Sequence, residues 1–342
     1  MNIGMYGGKF LPLHMGHVNC IIEASNKCDI LYVVLSHSKT RDKELCEIDD
    51  FKYIPSNKRM QWLDQIASSL PNVKIIEIED FDGIDYNSWS KGADSIKDQI
   101  YKDYKSRISV VFGSELEYKD IFENLYTSSR YEIIDADRVK FNVSASKIRK
   151  RGVFKNWEFI PKFCRPYYNK KVVIVGTESC GKSTMIKKLA LKYDTEFVSE
   201  YGRDMCERLN TGQPTEEYYP YIAYGQKMQE FEKNQTANKV LFIDTESTVT
   251  QFYNELYNNK QYDVLDSISK THKYDLVIFL EPNVQWVNDG LRIHGKESKR
   301  VSNNNLLIKM LIKNNINIIR IKDKEYGDRY NKIIKLVDKL LI

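Results

Sequence analysis

Short runs of apolar residues recur along the whole chain, separated by stretches in which apolar positions recur every three or four residues. A continuous apolar run is typical of a strand buried on both faces, and the periodic stretches are typical of helices. Strands spaced by helices indicate a parallel, doubly wound sheet of the α/β class, with ligands bound at the carboxyl ends of the strands. The predicted strands cover 3–6, 30–35, 73–78, 108–112, 131–134, 172–175, 240–243, 276–280 and 316–321, with a short one starting at 196, and the helices include 18–27, 57–70 and 89–104.

A glycine-rich loop lies between the strand predicted over 172–175 and a helical stretch. Its sequence, Gly-Thr-Glu-Ser-Cys-Gly-Lys-Ser-Thr over 176–184, has the context of a phosphate-binding P-loop. The glycines allow a tight turn that points successive N–H groups at phosphates, Lys182 adds a positive charge, and the Ser183 hydroxyl can bind Mg²⁺. The residues predicted to bind nucleotide here are Gly176, Glu178, Ser179, Gly181, Lys182, Ser183 and Thr184.

The position of this loop predicts two domains. A P-loop follows the first strand of its own domain, yet this one lies near the middle of 342 residues. Length alone also suggests about two domains. Pro161 and Pro166 interrupt the chain just before the strand that leads into the P-loop. We therefore predict one domain over 1–165 and a second over 166–342.

Composition changes this picture little. The net charge of +5 comes from lysines spread along the chain, a balance that small anionic substrates and weak nucleic-acid affinity explain equally well. The six cysteines form no CxxC pair and no metal-ligand spacing, which predicts reduced thiols in a cytoplasmic protein. The amino terminus has no signal-peptide pattern and no segment has the apolar length of a membrane span, so no membrane partner is expected.

Two histidines stand at the mouth of the first predicted helix. His14 and His17 are three residues apart across a glycine, shortly after the strand predicted over 3–6. At a helix N-terminus, two imidazoles and several free N–H groups surround one anion-sized space. Such a group can hold a triphosphate and stabilise charge on a pentacoordinate phosphorus without a covalent intermediate.

The surrounding residues carry a resemblance to a known superfamily. The run Gly8-Lys9-Phe10-x-Pro-x-His14-x-Gly-His17 resembles the HxGH signature of the nucleotidyltransferases, in the form used by adenylyltransferases. Residues 143–149 resemble the second signature of that superfamily. The resemblance implies a Rossmann-like domain in which Ser146 caps a helix and donates to phosphate, while Arg149 reaches the β- and γ-phosphates. The implied ATP-binding residues are Gly8, Lys9, Phe10, Ser144 and Ser146, with His14, His17 and Arg149 catalytic.

Within that superfamily, the first half looks most like nicotinamide mononucleotide (NMN) adenylyltransferases. A Ser-His-Ser…Arg-Asp run over 36–42 and the later Trp89 carry this likeness. It implies that Trp89 stacks on nicotinamide, whereas the alternative is an ordinary core aromatic residue. Arg41 is a phosphate ligand or a solvated loop charge, and Arg59 is expected on the surface of its helix. Gly113 and Ser114 follow the fourth predicted strand and complete the set of binding residues.

Three further segments of the second half carry candidate chemistry. Asp244 ends the strand predicted over 240–243, where a Walker-B carboxylate would hold Mg²⁺ or accept a substrate proton. Glu200 and Arg203 follow the short strand, and Glu200 is the other candidate base. The run 286–296 suits a closing lid that supplies Arg292 to the transferring phosphoryl group, or alternatively a solvated basic loop.

These segments make the second half resemble the ribosylnicotinamide kinase domain of NadR-type bifunctional proteins, so that the likeness covers essentially the whole chain. It implies two transferase activities: phosphorylation of nicotinamide riboside to NMN, then adenylylation of NMN to NAD and pyrophosphate. ATP is the co-substrate of both, Mg²⁺ is the implied cofactor, and a homo-oligomer is possible.

The sequence also departs from that pattern. Thr177 stands where the family has Pro, and Glu246 stands where it has Asp, which could alter the acceptor site. The chain starts at the first adenylyltransferase strand without the helix-turn-helix of some members, so no DNA partner is expected. Alternative interpretations are a phosphopantetheine adenylyltransferase fused to a dephospho-coenzyme A kinase, and a nucleotide-sensing regulator that no longer turns over. A riboflavin kinase–FAD synthetase fits less well, because that kinase is not a P-loop protein.

Overall fold

The computed structural model describes residues 1–80, 86–135, 139–271, 273–284 and 297–342. The chain divides into two units, Met1–Cys164 and Arg165–Ile342. Each unit has its own parallel sheet and its own buried core, and each is described below by itself. In the part of the chain covered by the structure, no helix has both the length and the apolar character needed to cross a membrane.

The first unit is built on a five-stranded parallel sheet with the order β3-β2-β1-β4-β5. Its strands are β1 (Ile3–Gly8), β2 (Ile30–His37), β3 (Val73–Glu79), β4 (Val110–Gly113) and β5 (Arg130–Ile133). Its helices are α1 (Met15–Ser25), α2 (Lys39–Ile48), α3 (Ser56–Ala67), α4 (Tyr86–Tyr104), α5 (Lys119–Leu125) and α6 (Ala145–Arg151). The reversal of strand order beside β1 opens a crevice at its carboxyl end, between β1 and β4.

The second unit has the sheet order β10-β9-β6-β8-β7, again with all strands parallel. Its strands are β6 (Lys170–Val175), β7 (Phe197–Val198), β8 (Val240–Asp244), β9 (Leu276–Leu280) and β10 (Ile318–Ile321). Its helices are α7 (Lys182–Tyr193), α8 (Tyr201–Leu209), α9 (Tyr219–Thr236), α10 (Ser247–Asn258), α11 (Asp263–Lys270), α12 (Glu297–Lys313) and α13 (Tyr326–Leu340). The first strand of this unit, β6, is central, so the loop after it lies at the switch point of the sheet.

The central strands are buried because helices cover both faces of each sheet. Val172 and Ile174 pack into a core with α7 and α13, whereas Val173 and Val175 pack on the opposite face with α10 and α12. A period of two therefore sorts one apolar run into two cores. The prediction of two doubly wound parallel sheets is confirmed.

One helix of the first unit was overlooked in the sequence. Residues 39–48 form α2, although the run 36–42 reads as a polar loop after a strand. The Ser38 hydroxyl caps this helix by accepting a hydrogen bond from the N–H of Arg41 at 3.3 Å. Only Asp42 and Cys46 are buried along it, so the apolar pattern that would reveal a helix is missing.

Candidate active sites

The two histidines of the first unit form the N-terminus of α1. His14 is the N-cap: its Nδ1 accepts from the N–H of His17 at 3.3 Å, and Nδ1 of His17 accepts from the N–H of His14 at 3.4 Å. The rings stack with centroids 3.6 Å apart and 20° between their planes. This reciprocal capping fixes both imidazoles and leaves each Nε2 on the ring edge away from the backbone.

A cavity of about 590 Å³ lies at the carboxyl ends of β1 and β4. Phe10 is fully buried outside this lining and contacts the His17 ring edge-on, with centroids 5.0 Å apart. The structure thus collects nearly all predicted binding residues of this unit around one space. Those that line it are Gly8, Lys9, His14, His17, Arg41, Trp89, Gly113, Ser114, Ser144, Ser146 and Arg149.

Arg59 is buried, so the expectation that it lies on the surface is wrong. Its guanidinium donates to Oδ2 of Asp42 at 2.6 Å and to the carbonyl of Lys9 at 2.7 Å. Neither Arg59 nor Asp42 is exposed to solvent. The apolar pattern of α3 does not predict this burial. The partner of Arg59, Asp42, lies on α2, a helix that the sequence pattern does not reveal.

Lys9 closes this network. Its Nζ donates to Oδ1 of Asp42 at 2.9 Å and to Oδ2 of Asp80 at 2.7 Å. Burial alone would raise the pKa of Asp80, but the hydrogen bonds from Lys9 and Ser36 hold that pKa below its ordinary value. Because Arg59 holds the Lys9 carbonyl and Asp42 holds its Nζ, the network fixes both the backbone and the side chain of Lys9.

Arg149, on α6, contacts the loop between β1 and α1, to which Lys9 also belongs. Its Nε donates to Oδ2 of Asp49 at 2.9 Å, and its Nη1 donates to the carbonyl of Leu11 at 2.8 Å. The N-cap of α6 is Ser144, whose hydroxyl accepts from the N–H of Lys147 at 3.1 Å. The prediction that Ser146 is the cap is therefore wrong by two residues; Ser146 lies in the first turn, with its hydroxyl 3.1 Å from that of Ser144.

Trp89 lies in the first turn of α4 and lines the same cavity. Its ring also packs against Tyr118 and Phe122, with centroids 5.8 Å and 6.3 Å away. It is half-buried, so one part of the ring belongs to the core and another part faces the cavity.

In the second unit, the predicted P-loop connects β6 to α7. Gly181, the N-cap of helix α7, has a left-handed conformation with φ +89° and no side chain with which to cap the helix, so the N–H groups at its start can face an anion. Lys182 is buried, and its Nζ donates to the carbonyls of Gly176 and Thr177 at 3.0 Å and 3.3 Å. The side chain thus lies folded across the loop that would hold phosphates.

Asp244, at the end of β8, meets the P-loop helix through Ser183, whose hydroxyl donates to Oδ2 at 2.6 Å. Among the described residues, Oδ1 of Asp244 is buried without a hydrogen-bond partner. Burial raises the pKa of Asp244 to about 6, since the nearby Glu200 adds to the rise and Lys182 only partly opposes it.

Ser183 and Asp244 fit Mg²⁺, which prefers oxygen ligands and completes its shell with water and substrate phosphates. The orphaned Oδ1 is a carboxylate oxygen that still needs a partner. Within the described ranges, no group of three or more His, Cys, Asp or Glu residues is placed to hold a metal. A site of one hydroxyl and one carboxylate is therefore suited to a metal carried on a nucleotide rather than to a cage made by protein alone.

A cavity of about 150 Å³ adjoins the P-loop. Glu200 and Arg203, on the first turn of α8, line one side of it. Tyr253 and Tyr257 of α10 line another side, with stacked rings 5.6 Å apart, and the Tyr257 hydroxyl donates to Glu178 at 2.5 Å. The predicted residues that line the cavity are Glu178, Ser179, Gly181, Lys182, Ser183, Thr184, Glu200 and Arg203.

Two other predicted residues of this unit, Gly176 and Asp244, lie outside the lining of this cavity. Arg292, with the rest of the lid proposed over 286–296, lies outside the described residues. Glu246 is fully buried and caps α10, accepting from the N–H of Thr248 at 2.9 Å, and burial raises its pKa to about 7.

Sequence reasoning missed the tyrosines of α10 and the carboxylates that orient the cations of the first unit. Tyr253 and Tyr257 are four residues apart, a spacing equally typical of a core-facing helix. Asp49 and Asp80 stand in polar segments without a pattern that singles them out, and Asp42 appears only as the last residue of the run 36–42, with no sign of its role. Their roles follow only from contacts between elements distant in the sequence.

Comparison with known proteins places this chain among relatives. Residues 5–151 match a cytidylyltransferase-like family, and residues 171–329 match an AAA domain. The trifunctional NAD biosynthesis/regulator protein NadR of Salmonella typhimurium strain LT2 is 32% identical over 345 residues, covering 99% of this chain and 83% of the relative. The protein of the same name from Escherichia coli K12 is 31% identical over 344 residues, with the same coverage.

Solved structures show the same fold. The chain superimposes on a crystal structure of a NadR protein in complex with NR with a TM-score of 0.79 and 23% identity, covering 99% of this chain and 96% of that one. A NadR structure in complex with NAD and AMP-PNP gives a TM-score of 0.78, also at 23% identity with 99% and 96% covered.

The buried pair of Arg59 and Asp42 predicts a large effect on stability. Arg59→Met leaves the Asp42 carboxylate buried with half of its partners gone, and we expect the free energy of unfolding of the first unit to fall by about 3–5 kcal/mol. Chemical denaturation of the full chain measures this. Arg107→Met, at an exposed position of the same unit, is the control and should change that free energy by no more than about 0.5 kcal/mol. Equal effects of the two substitutions would contradict the assignment of a buried ion pair.

Proposed function

Because this chain belongs to the NadR family of NAD biosynthesis proteins, we propose that its two units catalyse two consecutive steps of NAD salvage. The second unit transfers the γ-phosphoryl group of ATP to the 5′-hydroxyl of nicotinamide riboside and forms NMN. The first unit joins NMN to the adenylyl group of another ATP and releases NAD and pyrophosphate. The observation that supports this proposal is that each unit has its own cavity at the switch point of its sheet, beside the start of a helix.

The kinase step needs phosphates held at the start of α7. The uncapped N–H groups of that helix would bind them, and Lys182 would exchange the carbonyls of Gly176 and Thr177 for phosphate oxygens. Ser183 and Asp244 would hold Mg²⁺, which spreads the charge of the transferring group when it is bound. With its Oδ2 committed to Ser183, Asp244 is better suited to the metal than to the substrate proton.

The same geometry favours Glu200 as the base. Glu200 lines the cavity where the riboside would lie, whereas Asp244 is outside the lining. As the 5′-oxygen bonds to the γ-phosphorus, the bond from that phosphorus to the bridging oxygen of ADP breaks, and the hydroxyl proton passes to the carboxylate. Arg203, on the same turn of α8, would offset the charge of the phosphoryl oxygens.

The adenylyl transfer needs no protein nucleophile. An oxygen of the NMN phosphate bonds to the α-phosphorus of ATP, and the bond to the pyrophosphate oxygen breaks. His14, His17 and the start of α1 would stabilise the charge on the α-phosphate. Arg149 would release Asp49 to contact the departing pyrophosphate, and Trp89 would stack on the nicotinamide ring within the same cavity.

Incubation of the purified chain with nicotinamide riboside, ATP and Mg²⁺ tests this proposal. We expect a transient rise of NMN and then accumulation of NAD and pyrophosphate, because the product of the second unit carries the phosphate that the first unit needs. Chromatography of samples taken over time measures all three compounds. Formation of NMN without NAD would refute the adenylyltransferase assignment. Phosphorylation of dephospho-coenzyme A in place of the riboside would refute both assignments.

The two steps should be separable by substitution. Lys182→Ala removes the P-loop cation and should abolish riboside phosphorylation while NMN adenylylation stays within about twofold, because the two sites lie in different units. His17→Ala should have the opposite effect, with adenylylation reduced about 10²–10³-fold by loss of a charge-stabilising group. Each variant is the control for the other. Loss of both activities in either folded variant would contradict two independent sites.

The raised pKa of Asp244 predicts an acid limit for the kinase step. A metal ligand must be ionised, and the Asp244 carboxyl takes up a proton as the pH falls through about 6, about two pH units above the limit for an ordinary aspartate. We therefore expect kcat/KM for MgATP in riboside phosphorylation to fall below about pH 6. The residual kinase activity of Asp244→Asn, which has no titrating carboxyl at this position, is the control and should lack this limb. A kinase profile that stays flat down to pH 4.5 would refute this assignment of Asp244.

A further inference from the structure

We propose that Gln226 is a positioning residue of the kinase step, which sets the distance between the carboxyl end of β8 and the first turn of α8. This inference rests on the proposed function, since it assumes that Glu200 and Arg203 act on the acceptor. Gln226 lies on α9, outside both the P-loop and the cavity lining. No sequence motif points to it.

The amide of Gln226 joins two separate elements. Its Nε2 donates to the carbonyl of Asp244 at 3.0 Å, and its Oε1 accepts from the N–H of Tyr201 at 2.9 Å. The side chain is only 2% exposed. Since one partner is an acceptor and the other a donor, only one orientation of the amide satisfies both, and the hydrogen bonds define it.

Neighbouring residues of α9 contact the same first turn of α8. A Cβ atom on Gly225 would lie 2.2 Å from the Tyr201 ring, so only glycine allows this ring to rest on α9. One turn further along, Nε2 of Gln229 donates to Asp204 at 3.4 Å. One turn before, Ile222 lies 3.5 Å from the position of a Cβ on Gly202. Positions three and four apart on α9 therefore present one face to the start of α8.

These contacts of α9 position residues that the proposed kinase step uses. Glu200 is the N-cap of α8 and Arg203 lies one turn on, so both move with the backbone that Gln226 holds. Asp244, at the other end of the amide, holds Ser183 of the P-loop helix. Gln226 thus bridges the acceptor side of the cavity to the phosphate side. A misplacement of about 1 Å between such groups can cost about 10²-fold in rate.

A simple packing role makes a different prediction. If Gln226 only filled space, a residue of similar size would replace it without changing the rate. If it acts through two hydrogen bonds, loss of both should lower turnover while nucleotide binding survives, because these bonds go to Tyr201 and to the carbonyl of Asp244 and not to residues 176–184 of the P-loop. The two roles therefore separate in kcat and in the Kd for ATP.

The experiment uses Gln226→Met in the full chain, which keeps side-chain length and removes both hydrogen bonds. We expect kcat for riboside phosphorylation to fall about 10–100-fold, the Kd for ATP to stay within about twofold, and NMN adenylylation to be unchanged. Gln235→Met is the matched control: Gln235 is on the same helix, exposed, and bonded only locally to the carbonyl of Phe231 at 3.0 Å. It should leave all three quantities within about twofold.

A second measurement does not depend on the reaction. The N–H of Tyr201 donates to Gln226, so its hydrogen exchange should be slow in the wild type and at least about tenfold faster in Gln226→Met, with exchange along α7 unchanged. If Gln226→Met does not fold, Gln226→Asn, which is one methylene too short to reach both partners, is measured in its place.

The outcomes separate cleanly. A kcat within twofold of wild type in the folded variant, or an equal loss of ATP affinity and turnover, would overturn the positioning role. A wild type that fails to phosphorylate the riboside would refute the proposed function instead, and exchange at Tyr201 would still decide whether Gln226 holds the start of α8.

Discussion

Both units depend on one constraint. A buried parallel strand leads into a helix at its carboxyl end, and the first N–H groups of that helix have no partner within the helix. In the first unit the side chains of His14 and His17 accept hydrogen bonds from each other's backbone N–H groups and so satisfy two of them. In the second unit the N-cap of α7 is Gly181, which has no side chain to form a cap. Because each turn follows the central strand of its sheet, the fold places the start of a helix at the switch point, a position suited to binding an anion.

The two units differ in the charged side chains at their candidate sites. In the first, the site cations are already paired: Lys9 with Asp42 and Asp80, and Arg149 with Asp49. Such pairs hold the side chains in place, and a phosphate must compete with a carboxylate for Arg149. In the second, burial raises the pKa of the Asp244 carboxyl, and the hydrogen bond that it accepts from the Ser183 hydroxyl opposes this rise only in part. The first site is therefore built around oriented cations, and the second around an anion that a metal would neutralise.

The sequence predicts what is local and misses what depends on contacts between distant elements. Strands such as β9 (Leu276–Leu280) were predicted residue for residue because an apolar run is a local signal. Helix α2 was missed because its residues are mostly polar, and the burial of Arg59 was missed with it, since its partner Asp42 lies there. Ser144 caps α6 in place of Ser146 because two serines separated by one residue offer the same chemistry, and only the backbone decides between them.

The sizes of the two cavities fit the different demands of the two reactions. Adenylyl transfer brings two nucleotides together with their phosphorus atoms adjacent, and the first unit offers one cavity of about 590 Å³ that extends from His14 to Trp89. Phosphoryl transfer to a riboside requires a smaller acceptor space beside the P-loop, and the cavity there is about 150 Å³. The shared intermediate, NMN, would therefore meet two different environments. In the second unit its new phosphate would lie beside the P-loop in the smaller cavity, and in the first the same phosphate would act as the nucleophile in the larger one.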